Sequence, residues 1–306
     1  MKALVTGGAG FIGSHIVEEL LSQKAEVRIL DDLSKGSKEN IPKEVEFING
    51  SITDRPILEK VMKDIDYVFH EAAQTSVAFS ITHPKTTWEL NIRGTKLLLN
   101  AAVKAGIKRF IFASSAAVYG NAIPPLSEKM DAKPISPYGN SKRMGEILMD
   151  EYYQKEGLDT VSLRYFNVFG PRADPASEYS GVISRFISRM SKEERPIVYG
   201  NGMQTRDFIY VKDVVRANML ALKQKKTKGA AYNVATGSAV SINGLIKTLN
   251  FVLESNLEPI FEKERMGDIK YSFAEIKRAR EKLDFEAKTQ LQEGLKKTIE
   301  WYKKKR

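Results

Sequence analysis

The chain of 306 residues predicts an α/β protein: a doubly wound parallel sheet with a smaller C-terminal α/β lobe. Three observations carry this expectation. Short β-rich runs alternate with amphipathic helical stretches through the first half, a glycine cluster joins the first strand to the first helix, and the alternation breaks after Phe166. Strand–helix alternation of this kind implies parallel strands joined by right-handed crossovers. The length also exceeds what one compact core usually holds.

Taken in order, strands are expected at Ala3–Thr6, Glu26–Leu30, Val45–Ile48, Tyr67–His70, Arg109–Ala113 and Val161–Tyr165. Between the first two, Ile12, Ile16 and Leu20 recur every fourth residue with Val17 and Leu21 beside them, the pattern of an amphipathic helix. Leu97–Ala105 and Arg143–Tyr153 read as longer helices. After Phe166, the stretch Gly170–Pro175 reads as loop and Val182–Met190 as helix. Asp207–Val211 reads as a strand leading into a helix through Leu222. Tyr232–Ala235, Ile242–Leu253 and Ile260–Glu262 follow as strand, helix and strand, and Leu291, Leu295 and Ile299 mark a closing helix. The expected division is residues 1–166, with a returning segment at about 207–230, against a lobe of 167–206 and 231–306.

Composition narrows the function. The chain is 42% hydrophobic and 28% charged, and no apolar run approaches the ~20 residues that span a bilayer. The N-terminal stretch runs directly into glycines, too soon for a signal-peptide apolar region, so a cytoplasmic protein without a membrane partner is expected. With no cysteine there is no disulfide, thiolate metal site or cysteine nucleophile. His15, His70 and His83 lack metal-ligand spacing and read as structural; no metal is expected. Net charge is +10, but the basic runs at Lys223–Lys228 and Lys303–Arg306 lack interleaved aromatics, so no nucleic-acid partner is expected.

The first strand runs into Thr6-Gly7-Gly8-Ala9-Gly10-Phe11-Ile12-Gly13. Glycines at 7, 10 and 13 suit a tight turn, close backbone approach to a pyrophosphate and close helix–strand packing. The helix that follows offers its N-terminal N–H groups to phosphate. The next strand ends at Asp31, eighteen residues after Gly13, where a carboxylate binds ribose hydroxyls and disfavours a 2′-phosphate. NAD is therefore expected over NADP, although Arg28 and Lys35 lie nearby.

Tyr138 and Lys142 stand four apart and share a helix face, so an ammonium can lie under a phenol. Bringing a tyrosine from ~10 to ~7 takes about 4 kcal/mol. One positive charge at ~4 Å in an effective dielectric of ~20 supplies about that. The pair is thus a candidate general acid/base for a hydroxyl or carbonyl.

The glycine spacing with Tyr-x-x-x-Lys downstream resembles the extended short-chain dehydrogenase/reductase family, whose sheet is of the Rossmann type. Within it, the likeness to the UDP-glucose and UDP-N-acetylglucosamine 4-epimerase group spans nearly the whole chain. The resemblance implies Ser115, Tyr138 and Lys142 as catalytic residues, Ser115 lying in Phe112–Gly120. For the adenosine and pyrophosphate half of NAD it implies Gly7, Gly10, Phe11, Ile12, Gly13, Asp31, Asp32, Lys35, Gly36, Ser51 and Ile52. For the nicotinamide half it implies Ala72, Ala73, Gln74, Asn91, Tyr138, Lys142 and Tyr165. Ser51 stands where the family usually has an acidic residue at adenine, and Asp32 replaces a common Asn.

For a UDP-sugar, the same resemblance implies Ser115, Asn167, Gly181, Val182, Tyr199 over uracil, Arg206 and Arg265 on the diphosphate, Asp268 and Ser272. Guanidinium forks suit phosphate oxygens. Related 4,6-dehydratases carry an Asp-Glu pair where this chain has Ala116 and Ala117, and fucose-synthase-type epimerases use a cysteine. The implied reaction is oxidation and re-reduction at C4′. The family's pocket gatekeeper aligns with Ser272, small enough to admit an N-acetyl group; a shift of one residue would put Tyr271 there and reverse the inference. A tolerant enzyme for UDP-glucose/galactose and the N-acetyl pair is expected. The alternatives are a UDP-glucuronate 4-epimerase and a non-catalytic NAD-binding regulator. A homodimer pairing the Leu97–Ala105 and Arg143–Tyr153 helices is also implied.

Overall fold

A computed structural model describes residues 1–174, 181–264 and 269–304. Six strands alternate with helices: β1 (Lys2–Thr6), β2 (Glu26–Asp31), β3 (Glu46–Asn49), β4 (Tyr67–His70), β5 (Arg109–Ser115) and β6 (Thr160–Tyr165). With Ala231–Val234 they form one seven-stranded sheet, every neighbouring pair parallel, in the order Ala231–Val234, β6, β5, β4, β1, β2, β3. The order reverses at β1, so chain connections leave in opposite directions there and open a crevice at the carboxyl ends of β1 and β4.

The strands read as near-continuous apolar runs because both faces are covered. Alternate residues go to opposite sides. Ala3, Val5, Ile29, Phe69 and Ile111 pack with Ile16, Val17 and Leu20 of helix α1 (Phe11–Ser22) and with Val214 and Met219 of the Val211–Lys223 helix. Leu4, Leu30, Val68, Phe110 and Phe112 face Leu98, Leu99 and Met149 on the other side. A third core, built from Ile183, Phe186, Ile187, Leu245, Leu249, Leu295 and Ile299, belongs to the second lobe.

The Pro137–Glu156 helix has clear start and stop chemistry. Ser136 caps it by accepting from the Gly139 N–H at 3.0 Å, Pro137 needs no donor at the first position, and Gly157 ends it at φ +71°. Its middle lies close on β5, since a Cβ on Gly145 would sit 2.3 Å from the Phe112 ring. A buried polar cluster fixes it to the sheet. Arg164 of β6 donates from Nε to Glu146 Oε1 and from Nη2 to Oε2, both at 2.7 Å. Ser114 of β5 donates to Glu146 Oε1 at 2.6 Å. Arg164 also donates to the Tyr119 hydroxyl, which in turn donates to Asn233 on the Ala231–Val234 strand.

That strand differs from expectation: the sequence places residues 232–235 in the second lobe, yet Ala231–Val234 pairs with β6 as the sheet's edge. Tyr232 and Val234 are buried against the main core, which is where an apolar strand with Asn233 held by Tyr119 must lie. The expected strand at 207–211 is shorter, Phe208–Tyr210, and pairs with Asn167–Phe169. Helices at Arg55–Val61, Val77–Thr82, Pro84–Trp88 and Lys277–Leu283 were not anticipated. No helix among the described residues is long and apolar enough to cross a membrane.

The Glu146–Arg164 pair yields a stability prediction. Arg164→Met leaves the buried Glu146 carboxylate with only Ser114 and the half-exposed Arg143 at 3.2 Å and should cost about 3 kcal/mol in chemical denaturation. Adding Glu146→Leu should recover much of that loss; a double variant as unstable as the sum of the singles would contradict the pairing.

Candidate active site

The crevice opens into a cleft of about 1670 Å³, more than the ~1,000 Å³ upper range for one drug-sized ligand. At one end, β1 turns into α1 through the glycines. Gly7 has φ +71°, and a Cβ on it would meet Ala72 N at 2.7 Å. A Cβ on Gly13 would fall 2.2 Å from the Gly7 carbonyl oxygen, so no other residue lets α1 approach β1 so closely. Gly10 caps α1 without a side-chain bond, leaving first-turn N–H groups directed at the cleft. These features fit a pyrophosphate.

Asp31 ends β2, buried, with Oδ2 accepting from Ala9 N at 3.0 Å and Oδ1 from Leu33 N at 2.8 Å. Burial pushes its carboxyl up, and those backbone bonds hold it down in part. Asp32, Lys35, Gly36, Ser51 and Ile52 line the same end. Arg28 does not: its guanidinium is engaged by Glu46 and the Val61 and Lys63 carbonyls. A 2′-phosphate therefore finds no help from it.

At the other end, Ala72, Ala73 and Gln74 follow β4, Ser115 ends β5, Tyr165 ends β6, and the Pro137–Glu156 helix supplies Tyr138 and Lys142. Asn91 stands behind the wall, on a π-helical turn at Glu89–Gly94. It accepts from Gln74 N at 2.8 Å and donates to Gln74 O and Ser141 Oγ, both at 2.9 Å, so it shapes the wall without lining it. His70 lies buried between Thr6 and Thr95, and burial pushes its imidazole down to about 3.

Ser115, Tyr138 and Lys142 converge on one stretch of the cleft wall, but their electrostatics differ from the sequence expectation. Ser115 hydrogen-bonds Tyr138, which lowers the phenol, yet burial dominates and the Glu71 carboxyl adds to it, so Tyr138 is raised above its ordinary value. The Lys142 Nζ is 6.0 Å from the Tyr138 ring centroid and donates to the Ala113 carbonyl at 2.8 Å, over the Phe112 ring. Burial pushes the Lys142 ammonium down to about 8, partly opposed by Glu71. Burial, the main cause, thus holds Tyr138 toward its neutral phenol form.

Toward the second lobe, Asn167, Gly181, Arg206 and Ser272 line the cleft. Asn167 donates to the Asp207 carbonyl at 3.0 Å, and Arg206 Nη1 to the Ile269 carbonyl at 2.6 Å. Asp207 itself is buried, gathering Thr236, Gly237 and Ala274 around its carboxyl. Ser272 is 7% exposed and faces the cleft, whereas Tyr271 is 56% exposed and lies outside it. Val182 and Tyr199 are not on the cleft wall. Val182 packs into the second-lobe core, and Tyr199 ends a short strand paired with Ile260–Glu262. Arg265 and Asp268 lie outside the described residues. One lining residue the sequence did not flag is Glu71, whose partner Tyr165 is 94 positions away.

Fold and cleft together define an NAD-dependent enzyme of the extended short-chain dehydrogenase/reductase type. The chain belongs to the NAD dependent epimerase/dehydratase family, whose profile matches residues 3–235. A relative from Methanocaldococcus jannaschii, provisionally assigned as a UDP-glucose 4-epimerase, is 42% identical over 98% of each chain. The crystal structure of UDP-glucose 4-epimerase from Thermotoga maritima with UDP-glucose superposes with a TM-score of 0.96 at 39% identity, covering 100% of this chain and 99% of that one. The UDP-N-acetylglucosamine 4-epimerase from Methanobrevibacter ruminantium, in complex with UDP-N-acetylmuramic acid, gives 0.96 at 40% identity with the same coverage. At 33–34% identity the matches include dTDP-D-glucose 4,6-dehydratases and a UDP-N-acetyl-alpha-D-glucosaminuronate decarboxylase.

Burial pushes the Glu71 carboxyl up to about 7, with Tyr165 and Lys142 pulling the other way. A carboxyl raised on folding contributes stability below its unfolded value, near 4.5, and loses it as pH rises through about 7. Glu71→Gln should therefore melt above the parent protein at pH 8, with the gap closing toward pH 4.5. A gap of equal size at both pH values would contradict this reading.

Proposed function

We propose that this protein is a UDP-hexose 4-epimerase that retains NAD and acts on UDP-glucose/UDP-galactose and on UDP-GlcNAc/UDP-GalNAc. The observation that carries the reading is the convergence of Ser115, Tyr138 and Lys142 beside Ala116 and Ala117, both of which line the cleft. A hydroxyl can be deprotonated and reprotonated there, and no carboxylate at those two positions is available to help expel water from the sugar. The matches to dehydratases and a decarboxylase define the family, and this alanine pair separates the chain from them chemically.

NAD, when bound, supplies the hydride acceptor and donor, and its oxidised ring carries a positive charge. The glycine turn, α1 and Asp31 would hold its adenosine and pyrophosphate; Tyr138, Lys142 and Tyr165 would hold its nicotinamide half. Tyr138 Oη takes the proton of the 4′-hydroxyl and returns it after the sugar has turned over. Ser115 Oγ hydrogen-bonds the same sugar oxygen and shares the proton with Tyr138. Lys142 places positive charge beside the phenol and, with the oxidised cofactor, offsets the burial that keeps Tyr138 neutral. Asn167, Arg206 and Arg265 hold the diphosphate while the sugar rotates.

The wider substrate range is supported by Ser272 facing the cleft while Tyr271 faces away, which leaves room for an N-acetyl group. It is also supported by near-equal likeness to a UDP-glucose and a UDP-N-acetylglucosamine epimerase. A homodimer through the Thr95–Ala105 and Pro137–Glu156 helices is supported by the exposed Ile147 on the second of them. Light scattering reads that assembly directly.

Purified protein incubated with each UDP-sugar should interconvert both neutral pairs by chromatography and leave UDP-glucuronate unchanged. Turnover of the uronate alone, or a product that has lost water, would overturn the proposal. Tyr138→Phe should keep NAD and lower turnover by roughly 10²–10⁴. Ser272→Tyr should lose the N-acetyl pair and keep the plain hexoses; equal loss of both would reject Ser272 as the determinant.

A further inference from the structure

One carboxyl in the catalytic half of the cleft has no part in the proton transfer above. Glu71 immediately follows β4, where the ends of β4, β5 and β6 lie side by side. Tyr165, at the end of β6, donates its hydroxyl hydrogen to Glu71 Oε1 at 2.8 Å. Asn218, on the Val211–Lys223 helix, donates to that same Tyr165 oxygen at 2.8 Å. This two-bond relay, anchored in a helix behind the sheet, fixes where the carboxyl points. Lys142 and Tyr138 interact with it electrostatically from the Pro137–Glu156 helix. The adjacent His70 is turned away, held between Thr6 and Thr95. Asp31 and Asp32, the cleft's other β-strand carboxylates, sit at the end of β2 on the far side of β1.

Lys142 brings a positive charge into a site that must also accept a cationic ring. Oxidised nicotinamide is positive and reduced nicotinamide is neutral, so an ammonium alone favours the reduced form. An epimerase needs the opposite bias. If the keto sugar escapes before hydride returns, the enzyme is left holding reduced cofactor and is inactive toward its normal substrate.

We infer that Glu71, held by Tyr165, is a charge-balancing residue that offsets Lys142 and biases the cofactor in this cleft toward its oxidised form. The inference rests on the reading that the β4–β6 end of the cleft receives nicotinamide. Glu71 acts by its field and takes no proton from the substrate. The Tyr165 hydroxyl serves it by favouring the ionised carboxyl.

The test is the ratio of dissociation constants for NADH and NAD, measured on cofactor-free protein by NADH fluorescence and by competition. At pH 8 the carboxyl, pushed by burial to about 7, is ionised. Glu71→Gln, which keeps an acceptor for Tyr165, should lower the NADH-to-NAD ratio of dissociation constants roughly tenfold. Most of that change should come from weaker NAD binding, and Glu71→Asp should restore part of it. An unchanged ratio, with both forms weakened alike or neither affected, overturns the inference and assigns Glu71 a purely structural role. Should Glu71→Gln fail to fold, Tyr165→Phe should move the ratio in the same direction, and no movement there is equally fatal. Binding of neither form by the parent protein would instead sink the nicotinamide reading of the cleft itself.

Discussion

The geometry of the cleft depends on how firmly one helix is held against the sheet. Pro137–Glu156 delivers both Tyr138 and Lys142, and a displacement of even an ångström would separate them from Ser115. Three contacts set its position. Gly145 lets the helix settle onto the Phe112 ring, Lys142 reaches the Ala113 carbonyl, and Glu146 is clamped by Arg164 and Ser114. The clamp buries an ion pair that contributes little net stability but specifies one arrangement, because every polar atom in it has a partner on a different element. The order Ala231–Val234, β6, β5 is part of the same device: Asn233 on the edge strand accepts from Tyr119, which accepts from Arg164.

With the helix in place, the cleft's charges balance in pairs. One end sets Asp31 and Asp32 beside the bare terminus of α1, features that suit ribose hydroxyls and phosphate. The end formed by β4, β5 and β6 sets Lys142 against Glu71, with the Tyr138 phenol held toward neutrality by burial. Burial holds the phenol toward its neutral form. In the proposed mechanism, the charge of bound NAD together with Lys142 would favour its ionisation.

Much of this architecture was legible in the sequence because its determinants are local. The glycine turn is a matter of three residues, and the 2.2 Å separation at Gly13 shows why nothing larger fits. Strand and helix positions followed from apolar periodicity, and Val182–Met190, Ile242–Leu253 and Ile260–Glu262 match their observed bounds. Tertiary facts were not legible. The spacing of Tyr138 and Lys142 put them on one face but could not say that the ammonium would turn to the Ala113 carbonyl. Glu71 sits in a run with no local signature, and its meaning comes from a tyrosine 94 residues on. The edge strand Ala231–Val234 carries no mark of which sheet it joins. Likewise, whether Ser272 or Tyr271 faces the cleft depends on the strand-like pairing of Thr205 with Tyr271, which sequence alone left open to a shift of one residue.

The proposed epimerisation requires that one hydride leave C4′ and come back to it within a single enclosed site. It is tested most directly by incubating UDP-glucose deuterated at C4′ with the protein in ordinary water and examining the UDP-galactose formed by mass spectrometry and NMR. The product should keep its deuterium at C4′ through the inversion, with no solvent hydrogen incorporated. Loss of the label to water, or its appearance at another carbon, would contradict it.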